Sequence, residues 1–412
     1  MEAWPGLVTH RDWLQRESLR LLRFGRRAAD AAVGARWLDE NGAPVPDRPV
    51  LTFLTCRSVH VYAVGQLMGI PGCRPVAERA LAGLRGPLHD ARHGGWYDEL
   101  GPDGRPGTRK TCYDHAFVIL AATSAVRAGL PGGADLLAEA LEVFGQRFFD
   151  EALGRCVDSW DAAFTGLSDY RGMNANMHTV EALLAAADVT GDPAWAVRAG
   201  RIAEFAVAQA GAHRWRMPEH YGPDWQPRLE YHEDRREDPF QPYGATVGHG
   251  LEWSRLLVHL EATLAGLDGV ETPATDWLDA ARALFDRAAG DGWAADGAPG
   301  FVYTTDWDGR PVVRDRLHWV AAEAVGAAAA LRARTGEPEY AARYALWWDY
   351  IAEALIDDER GSWHHELDPA NRPSARLWPG KPDLYHAFQA TLIPRLPLAP
   401  SLASAVAEGL LA

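Results

Sequence analysis

The stretch RGMNANMHTVEALLAAADVTGDPAWAVRA (171–199) contains one helix, a tight turn and the start of a second helix. Apolar residues recur at helical spacing on both sides of the turn. Gly191 is placed to end the first helix, and Asp192 and Pro193 are residues that favour the start of the next one. The stretch RARTGEPEYAARY (332–344) has the same Thr-Gly-acid-Pro turn. The chain therefore repeats one unit of two helices.

Six of the fifteen histidines recur at intervals of 55, 63, 71, 69 and 68 residues, each at or just inside the start of an apolar helical segment: His60, His115, His178, His249, His318 and His386. Each interval has room for a loop, a second helix and a return turn. If the pairs close into a ring, equivalent positions meet around one axis. We therefore predict an all-α fold, an (α/α)6 barrel of six inner and six outer helices, with six imidazoles lining one mouth.

Longer and more charged segments alternate with the histidine helices and predict the outer helices at 11–30, 72–86, 131–148, 193–210, 272–289 and 338–356, with a closing helix at 399–411. Long stretches rich in Gly, Pro, Asp and Trp precede the histidine helices at 88–111, 150–176, 212–245, 291–313 and 358–382. Loops this long are usually functional, so we expect them to form the active-site face. No linker or change of composition divides the chain, which predicts a single catalytic domain over 1–412.

Composition excludes several classes of function. The net charge is −15 without a basic stripe along one face, which argues against nucleic acid or an anionic membrane as partner. No apolar stretch is long enough to span a membrane. Four cysteines without a CxxC pair favour a reducing compartment, so we expect a cytoplasmic protein. We also expect it to be a monomer or homodimer. The 17 tryptophans fit interhelical packing first, and a carbohydrate pocket second.

Helical spacing places several polar side chains on shared faces. His249, Glu252 and Trp253 share one face, and Glu252 is one turn away, where it could fix the tautomer of His249. The other groups are Arg57 with His60, Asn174 with His178 and Glu181, Trp319 with Glu323, and His386 with Gln389. Histidine can both accept and donate a proton near neutral pH, so at least two of the six are expected to act on a substrate.

Other chemistries have weaker support. No HExxH motif, HxH pair or carboxylate cluster on one element indicates a metal, and we expect none. Nucleotide-binding glycine motifs and a GxSxG motif are absent from the sequence. Paired carboxylates for glycoside hydrolysis remain possible, with Asp114, Glu181, Glu252 and Glu323 as candidates, although Asp114 could equally orient the adjacent His115.

Three segments together resemble the N-acylglucosamine 2-epimerase superfamily, which folds as an (α/α)6 barrel: YDHAFVILA (113–121), RGMNANMHTVEA (171–182) and GHGLEW (248–253). The resemblance covers essentially the whole chain. The C-terminal run GKPDLYHAFQATLIPRLP (380–397) is similar to the aldose–ketose isomerase branch. RLHWVAAE (316–323) keeps Trp319 and Glu323 of the epimerase segment but has His318 where epimerases have a tryptophan, which departs from the epimerase pattern.

The resemblance implies that His249 and His386 form the acid/base pair, without a metal or other cofactor. The substrate contacts would be Arg57, Tyr113, Asn174, His178, Glu252 and Trp319. We assign ring opening of a free sugar to His249 and removal of the C2 proton to His386, with Arg57 stabilising the cis-enediol oxyanion. The first expectation is an aldose–ketose isomerase that converts D-mannose to D-fructose. The alternatives are a sugar 2-epimerase, a glycoside hydrolase and a non-catalytic sugar-binding protein.

Overall fold

The computed structural model describes residues 4–267 and 275–412, and these form two concentric rings of helices. In chain order the helices are α1 (Val8–Gly25), α2 (Thr52–Leu67), α3 (Cys73–Leu84), α4 (Cys112–Arg127), α5 (Gly133–Arg147), α6 (Met173–Thr190), α7 (Ala194–Ala212), α8 (Val247–Ala265), α9 (Trp277–Gly292), α10 (His318–Thr335), α11 (Pro338–Tyr350), α12 (Tyr385–Leu392) and α13 (Leu402–Ala407). A π-helical turn over Ile351–Leu355 extends α11, and short 3-10 turns cover Trp4–Gly6 and Ile393–Arg395.

The even-numbered helices from α2 to α12 form a closed inner ring. Each contacts the next along the chain, and α12 contacts both α10 and α2. Outer helices α3, α5, α7, α9 and α11 each pack on the inner helix that precedes them, and α1 packs on α12 as the sixth pair. The predicted (α/α)6 barrel is confirmed. An open solenoid is excluded because the last inner helix contacts the first.

Inner and outer helices differ in burial. Every residue of α10 from Val320 to Leu331 is buried, and most of these residues are Ala or Gly, so neighbouring backbones can approach closely. A helix that is apolar on all sides belongs inside a protein. Outer helix α9 instead buries one stripe, which includes Ala281, Leu284 and Phe285. The hydrophobic core therefore lies between the two rings and along the axis.

The tight turns between paired helices follow the sequence pattern. Gly191 has φ of 69° and Gly336 has φ of 77°, a left-handed conformation that favours glycine at the end of a helix. The Asp192 carboxylate accepts a hydrogen bond from the backbone N–H of Ala194 at 2.9 Å, so it caps α7 as expected. Glu337 does not cap α11 in this way, because its carboxylate binds Arg282. Of the predicted helix at 272–289, residues 272–274 lie outside the described residues.

The long loops are organised as short antiparallel strands. These are β1 (Ala29–Asp30), β2 (Gly34–Ala35), β3 (Val50–Leu51), β4 (Glu99–Leu100), β5 (Arg109–Thr111), β6 (Phe149–Asp150), β7 (Arg155–Cys156), β8 (Ser159–Asp161), β9 (Arg171–Gly172), β10 (His220–Tyr221), β11 (Ala245–Thr246), β12 (Thr304–Thr305), β13 (Pro311–Val313), β14 (Arg316–Leu317) and β15 (Glu366–Leu367). The pairs are β1–β2, β3–β4, β5–β8, β6–β7, β9–β10 and β14–β15, and β11–β12–β13 form a three-stranded sheet. A paired strand directly precedes five of the six inner helices, so the loops are anchored where those helices begin.

The C-terminal segment covers the end of the barrel opposite these loops. Helix α13 contacts α2, α4 and α6. His259 Nδ1 near the end of α8 lies 2.7 Å from the carbonyl oxygen of Leu398, and Arg127 at the end of α4 donates to Ser404 at 2.9 Å. The open end is therefore the end that carries the loops. None of the described helices combines the length and apolar character that a membrane span requires.

Candidate active site

A cavity of about 640 Å³ opens at the loop end of the barrel, where the inner helices begin. All eight residues that the sequence proposed for the site line it: Arg57, Tyr113, Asn174, His178, His249, Glu252, Trp319 and His386. His318, one of the six periodic histidines, lines it as well. The sequence did not propose the other lining residues, which are Phe53, Pro239, Phe240, Tyr303, Leu317, His365, Trp378 and Asp383. Most of these come from the long loops or from α10.

His386 on α12 is held by an acid from the neighbouring inner helix. Its Nδ1 lies 2.8 Å from Glu323 Oε1 on α10, and the other oxygen of Glu323 accepts a hydrogen bond from Arg255 Nε at 2.9 Å. Although burial opposes ionisation, Arg255 and His386 lower the pKa of Glu323 to about 2. An ionised carboxylate at Nδ1 fixes the proton on that nitrogen and leaves Nε2 free to accept another.

His249 on α8 has an equivalent arrangement with a different partner. Its Nδ1 lies 2.9 Å from Glu219 Oε1, on the loop that leads into β10. The expectation that Glu252 fixes this tautomer is wrong. Glu252 shares the helix face of His249, but its carboxylate lies beside Arg255 at 3.5 Å and His178 at 3.7 Å. The true partner is 30 residues earlier in the chain, so helical spacing could not identify it.

Trp319 lies close to both imidazoles. Its ring centroid is 5.3 Å from that of His249 and 5.6 Å from that of His386, with interplanar angles of 36° and 37°. Gly248 makes this placement possible, because a Cβ atom at that position would lie 2.2 Å from the Trp319 ring. The indole thus forms an apolar surface next to both proton-transfer groups.

Arg57 supplies a buried cation on another wall of the cavity. Its guanidinium is paired with Asp383 and donates to the Tyr113 hydroxyl at 2.9 Å. It also lies 4.3 Å from the centre of the Phe117 ring, within cation–π distance. Burial opposes the charge, but the carboxylate of Asp383 raises the pKa of Arg57 above its usual value. Arg57 therefore stays charged next to the cavity.

Three further polar groups face the cavity with unsatisfied atoms. Asn174 Oδ1, His178 Nδ1 and both carboxyl oxygens of Glu252 are buried without a hydrogen-bond partner. Burial lowers the pKa of His178 to about 3, so its imidazole is neutral near neutral pH. Burial and the charge of Glu323 raise the pKa of Glu252, which favours its protonated form. Buried polar atoms normally have partners, so these groups are suited to bind hydroxyls of a ligand.

Two of the six periodic histidines do not reach the cavity, so the expectation that all six line its mouth is wrong. His60 Nδ1 lies 2.7 Å from Ser124 Oγ inside the inner ring. His115 Nδ1 lies 2.7 Å from the Thr111 carbonyl oxygen, and its Nε2 accepts from the Trp96 N–H. Asp114 does not orient His115. It accepts a hydrogen bond from the Phe53 N–H at 3.1 Å and binds Thr111.

His365 reaches the cavity from a loop. Its ring stacks on that of His318, with centroids 4.0 Å apart and an interplanar angle of 7°. Its neighbour His364 is not among the residues that line the cavity. The sequence carried no signal that His365 would meet His318, because the pairing of β14 with β15 brings them together.

Two groups of side chains have ligand atoms close enough to hold a metal ion. They are His178 with Glu181 and Glu252, and Glu252 with Glu323 and His386, each with ligand atoms within 4.8 Å of one another. These residues come from different helices, so the search for ligands on one element could not find them. However, Arg255 binds Glu323 at 2.9 Å and lies 3.5 Å from Glu252, so a buried positive charge already lies beside both of these carboxylates.

Comparison with known proteins places these observations in a family. A sequence model of N-acylglucosamine 2-epimerase matches residues 34–390. A D-mannose isomerase of Thermobifida fusca is 52% identical over 411 residues, 99% of each chain, and one of Pseudomonas cannabina pv. alisalensis is 47% identical over 98% of this chain and 97% of its own. The crystal structure of a D-mannose isomerase has a TM-score of 0.84 at 26% identity, covering 92% of this chain and 96% of the other.

Proposed function

The chain belongs to the N-acylglucosamine 2-epimerase family, and on that premise we propose that it is an aldose–ketose isomerase that converts D-mannose to D-fructose. The observation that carries the proposal is the pair of imidazoles, His249 and His386, each held by a buried glutamate and each next to Trp319. Two relatives at 52% and 47% identity over nearly the full length are named D-mannose isomerase.

Ring opening comes first, because the C2 hydrogen of a hexose becomes acidic only next to a free aldehyde. We assign this step to His249. Its Nε2 removes the proton from the O1 hydroxyl and delivers it to O5 as the C1–O5 bond breaks. Glu219 at Nδ1 keeps the accepting nitrogen directed away from the carboxylate and stabilises the imidazolium that forms.

Enolisation follows at the other imidazole. His386 Nε2 removes the proton from C2, the C1–C2 bond gains double-bond character, and negative charge develops on O1. Arg57 is the buried cation next to the cavity that opposes this charge. Return of the proton to C1, with O2 passing its own proton to O1 and becoming a carbonyl, yields the ketose. Glu323 balances the charge on His386 throughout.

Asn174, His178 and Glu252 hold the sugar during these steps. Their unpartnered buried atoms offer both hydrogen-bond acceptors and, in the protonated carboxyl of Glu252, a donor. Trp319 supplies a flat apolar surface of the kind that packs against the C–H face of a sugar. Binding the open chain in a single conformation supplies the orientation on which proton transfer depends.

A sugar 2-epimerase is the second candidate, supported by one specific observation. The cavity holds two imidazoles next to Trp319, His249 and His386, so a second base is present that could return a proton to the other face of C2. A glycoside hydrolase has less support. Of the four carboxylates considered for it only Glu252 lines the cavity, and the other lining carboxylate, Asp383, is paired with Arg57 among the described residues.

We further propose that residues 1–412 form one catalytic domain that works in the cytoplasm on a free sugar, as a monomer or homodimer and without nucleic acid. The four cysteines are all buried and unpaired, which fits a reducing compartment. The cavity opens at the loop end of the barrel, and the C-terminal segment covers the other end.

A product assay on free sugars tests the proposal. Purified protein is incubated with D-mannose, with and without EDTA, and the products are separated by ion-exchange chromatography. Fructose formed at the same rate in both samples supports a metal-free isomerase. Glucose in place of fructose supports the epimerase, reducing ends released only from oligosaccharides support the hydrolase, and activity lost with EDTA and restored by zinc or manganese indicates a metal at Glu252 and His386.

A further inference from the structure

Two stacked imidazoles on one wall of the cavity have no role in the mechanism above. His318 is the first residue of α10 and His365 precedes β15, and both are buried. Backbone pairing fixes the stack, because the N–H of His318 donates to the carbonyl oxygen of His365 at 3.1 Å and β14 pairs with β15 directly beside it. The geometry is therefore built into the strand pair rather than left to flexible side chains.

One nitrogen of His318 is free. Its Nδ1 lies 3.3 Å from the carbonyl oxygen of His365, which can only accept, so Nδ1 carries the proton. The other nitrogen, Nε2, is then an acceptor, and it is buried without a partner among the described residues. The side chain is 3% exposed and lines the cavity. A buried acceptor without a partner lowers stability, which is readily explained if a ligand hydroxyl donates to it.

The wall around this pair carries no spare positive charge. Burial lowers the pKa of His318 to about 4, with Asp383 opposing the shift and His386 adding to it, so the ring is neutral near pH 7. Burial lowers the pKa of His365 as well. Arg57 is the sole Arg or Lys side chain among the described residues that line the cavity, and it is paired with Asp383. An anionic substituent here would meet neutral rings and a carboxylate.

The position of His318 identifies the part of the sugar that it faces. C1 and C2 must lie within reach of His249 and His386, both of which lie next to Trp319. His318 precedes Trp319 and is therefore turned by about 100° around α10, so its ring faces a different region of the same cavity. A hexose that places C1 and C2 at the reacting imidazoles extends its far end into the remaining space.

We propose that His318, held in place by His365, accepts a hydrogen bond from the O6 hydroxyl of the substrate and restricts the enzyme to sugars that are uncharged at that end. This inference rests on the proposed sugar isomerase activity. It assigns His318 as a determinant of specificity and leaves proton transfer to His249 and His386. Sugars with a phosphate, sulfonate or carboxylate at C6 are excluded, because the charge would be desolvated without a partner.

The test compares His318→Phe with the unmodified enzyme on D-mannose, 6-deoxy-D-mannose and D-lyxose, which lacks C6. Phenylalanine keeps the ring stack on His365 and removes the acceptor. We expect kcat/KM for mannose to fall by about 10- to 100-fold, the range for a lost buried hydrogen bond, with a much smaller loss on the two analogues. His318→Gln retains an acceptor and should recover part of the preference for mannose. Thermal unfolding checks that both variants are folded.

Equal losses on all three sugars, or no loss on any, would overturn the inference while leaving the isomerase activity intact. If the unmodified enzyme converted mannose 6-phosphate with a kcat/KM similar to that for mannose, the restriction to uncharged sugars would be overturned as well. If the unmodified enzyme did not convert mannose at all, the proposed function would fail, and the role of His318 would fail with it. The assay of the unmodified enzyme on mannose thus distinguishes failure of the inference about His318 from failure of the proposed function.

Discussion

His249 and His386 each turn one ring nitrogen toward a buried carboxylate and the other toward the cavity. In both cases the acid comes from another element, Glu219 from a loop and Glu323 from α10. A carboxylate in this position fixes the tautomer and balances the positive charge that a general base acquires. The reactivity of each imidazole therefore depends on a residue that never contacts the reacting carbons.

Replacing either imidazole tests the assigned roles. We expect His249→Asn and His386→Asn each to lower kcat for mannose by at least about 100-fold, the lower range for losing a general acid or base, without a comparable loss of thermal stability. The matched control is His89→Asn. His89 also lies 2.6 Å from a glutamate, Glu139, but on an outer surface, so its loss should leave turnover unchanged. Near-normal kcat in either cavity variant would contradict the assignment.

Glu219 offers a separate test as a positioning residue. Glu219→Gln retains the size of the side chain but removes the charge that balances a protonated His249, so kcat should fall by about 10- to 100-fold with a smaller change in KM. A purely structural role for Glu219 would instead lower thermal stability and change KM as much as kcat.

Sequence patterns located side chains that lie on the same helix, and failed where a loop supplied the partner. Spacing by three or four residues brought Asn174 and His178 to one face, and both line the cavity. Glu219 and His365 lie in long loops, so only strand pairing and barrel closure determine what they contact. The sequence also could not show which tryptophans reach the cavity. Trp319 and Trp378 line it, whereas Trp96, Trp253 and Trp363 are fully buried in the core.

At the scale of elements, a buried lysine side chain holds together the loop that precedes an inner helix in two of the repeats. Lys110 in β5 donates to Asp90 at 2.7 Å and to the carbonyl of Gly94. Lys381 before α12 donates to Asp357 at 2.5 Å and to the carbonyl of Gly361. Both lysines are fully buried. The recurrence indicates that the loop side of the repeat, like its helices, derives from one structural unit.

Removing one of these buried lysines should lower the stability of the protein. Lys110→Met leaves the 3% exposed carboxylate of Asp90 without its cation, so we expect the free energy of unfolding to fall by about 3–5 kcal/mol. Urea denaturation measures the change. Arg105→Ala is the control, because Arg105 pairs with Asp103 while its side chain is 87% exposed, and such pairs contribute at most about 1 kcal/mol. Equal effects of the two substitutions would contradict this account of the hairpins.

The helices could be predicted from sequence because each carries its own signal. Apolar periodicity and the Gly-acid-Pro turn are local features, and they placed the boundary between α6 and α7 close to Gly191. The strands of the loops carry almost no signal, because two or three residues are too few to show an alternating pattern. The pairing of these strands across the active-site face could therefore be determined only from the structure.

At the scale of the whole molecule, the buried histidines make stability depend on pH. Burial lowers the pKa of six of them to about 3 or about 4: His10, His60, His115, His178, His259 and His318. In the unfolded chain each would bind a proton near pH 6.5. The unfolded state thus binds more protons between pH 6.5 and about 4, and the free energy of unfolding falls as the pH is lowered through this window.

Two buried carboxyls act in the opposite direction over the same window. Burial raises the pKa of Asp114 to about 8 and that of Asp158 to about 7, so their contribution is lost as the pH rises toward those values. Because the histidines are more numerous, we expect the Tm to be highest near pH 6.5, to fall steeply toward pH 4.5 and to fall slightly toward pH 8. Differential scanning calorimetry measures it, and a Tm that is constant or higher at pH 4.5 would contradict this balance.

The closed ring agrees with the spacing of the histidine helices, which indicated one repeated unit of two helices. The sequence could not show how deep each imidazole sits. His60 and His115 keep the period but bond to the protein interior, whereas His178, His249, His318 and His386 reach the cavity. The motif resemblance to the N-acylglucosamine 2-epimerase family is confirmed across residues 34–390.

The most direct test of proton transfer by the two glutamate-held imidazoles is NMR of D-mannose incubated with the enzyme in D2O. We predict that fructose accumulates with deuterium at C1, because the proton removed from C2 exchanges on His386 before its return, and that His386→Asn shows neither product nor label. Glucose labelled at C2 in place of fructose, or mannose that stays unlabelled and unconverted with the unmodified enzyme, would contradict the account.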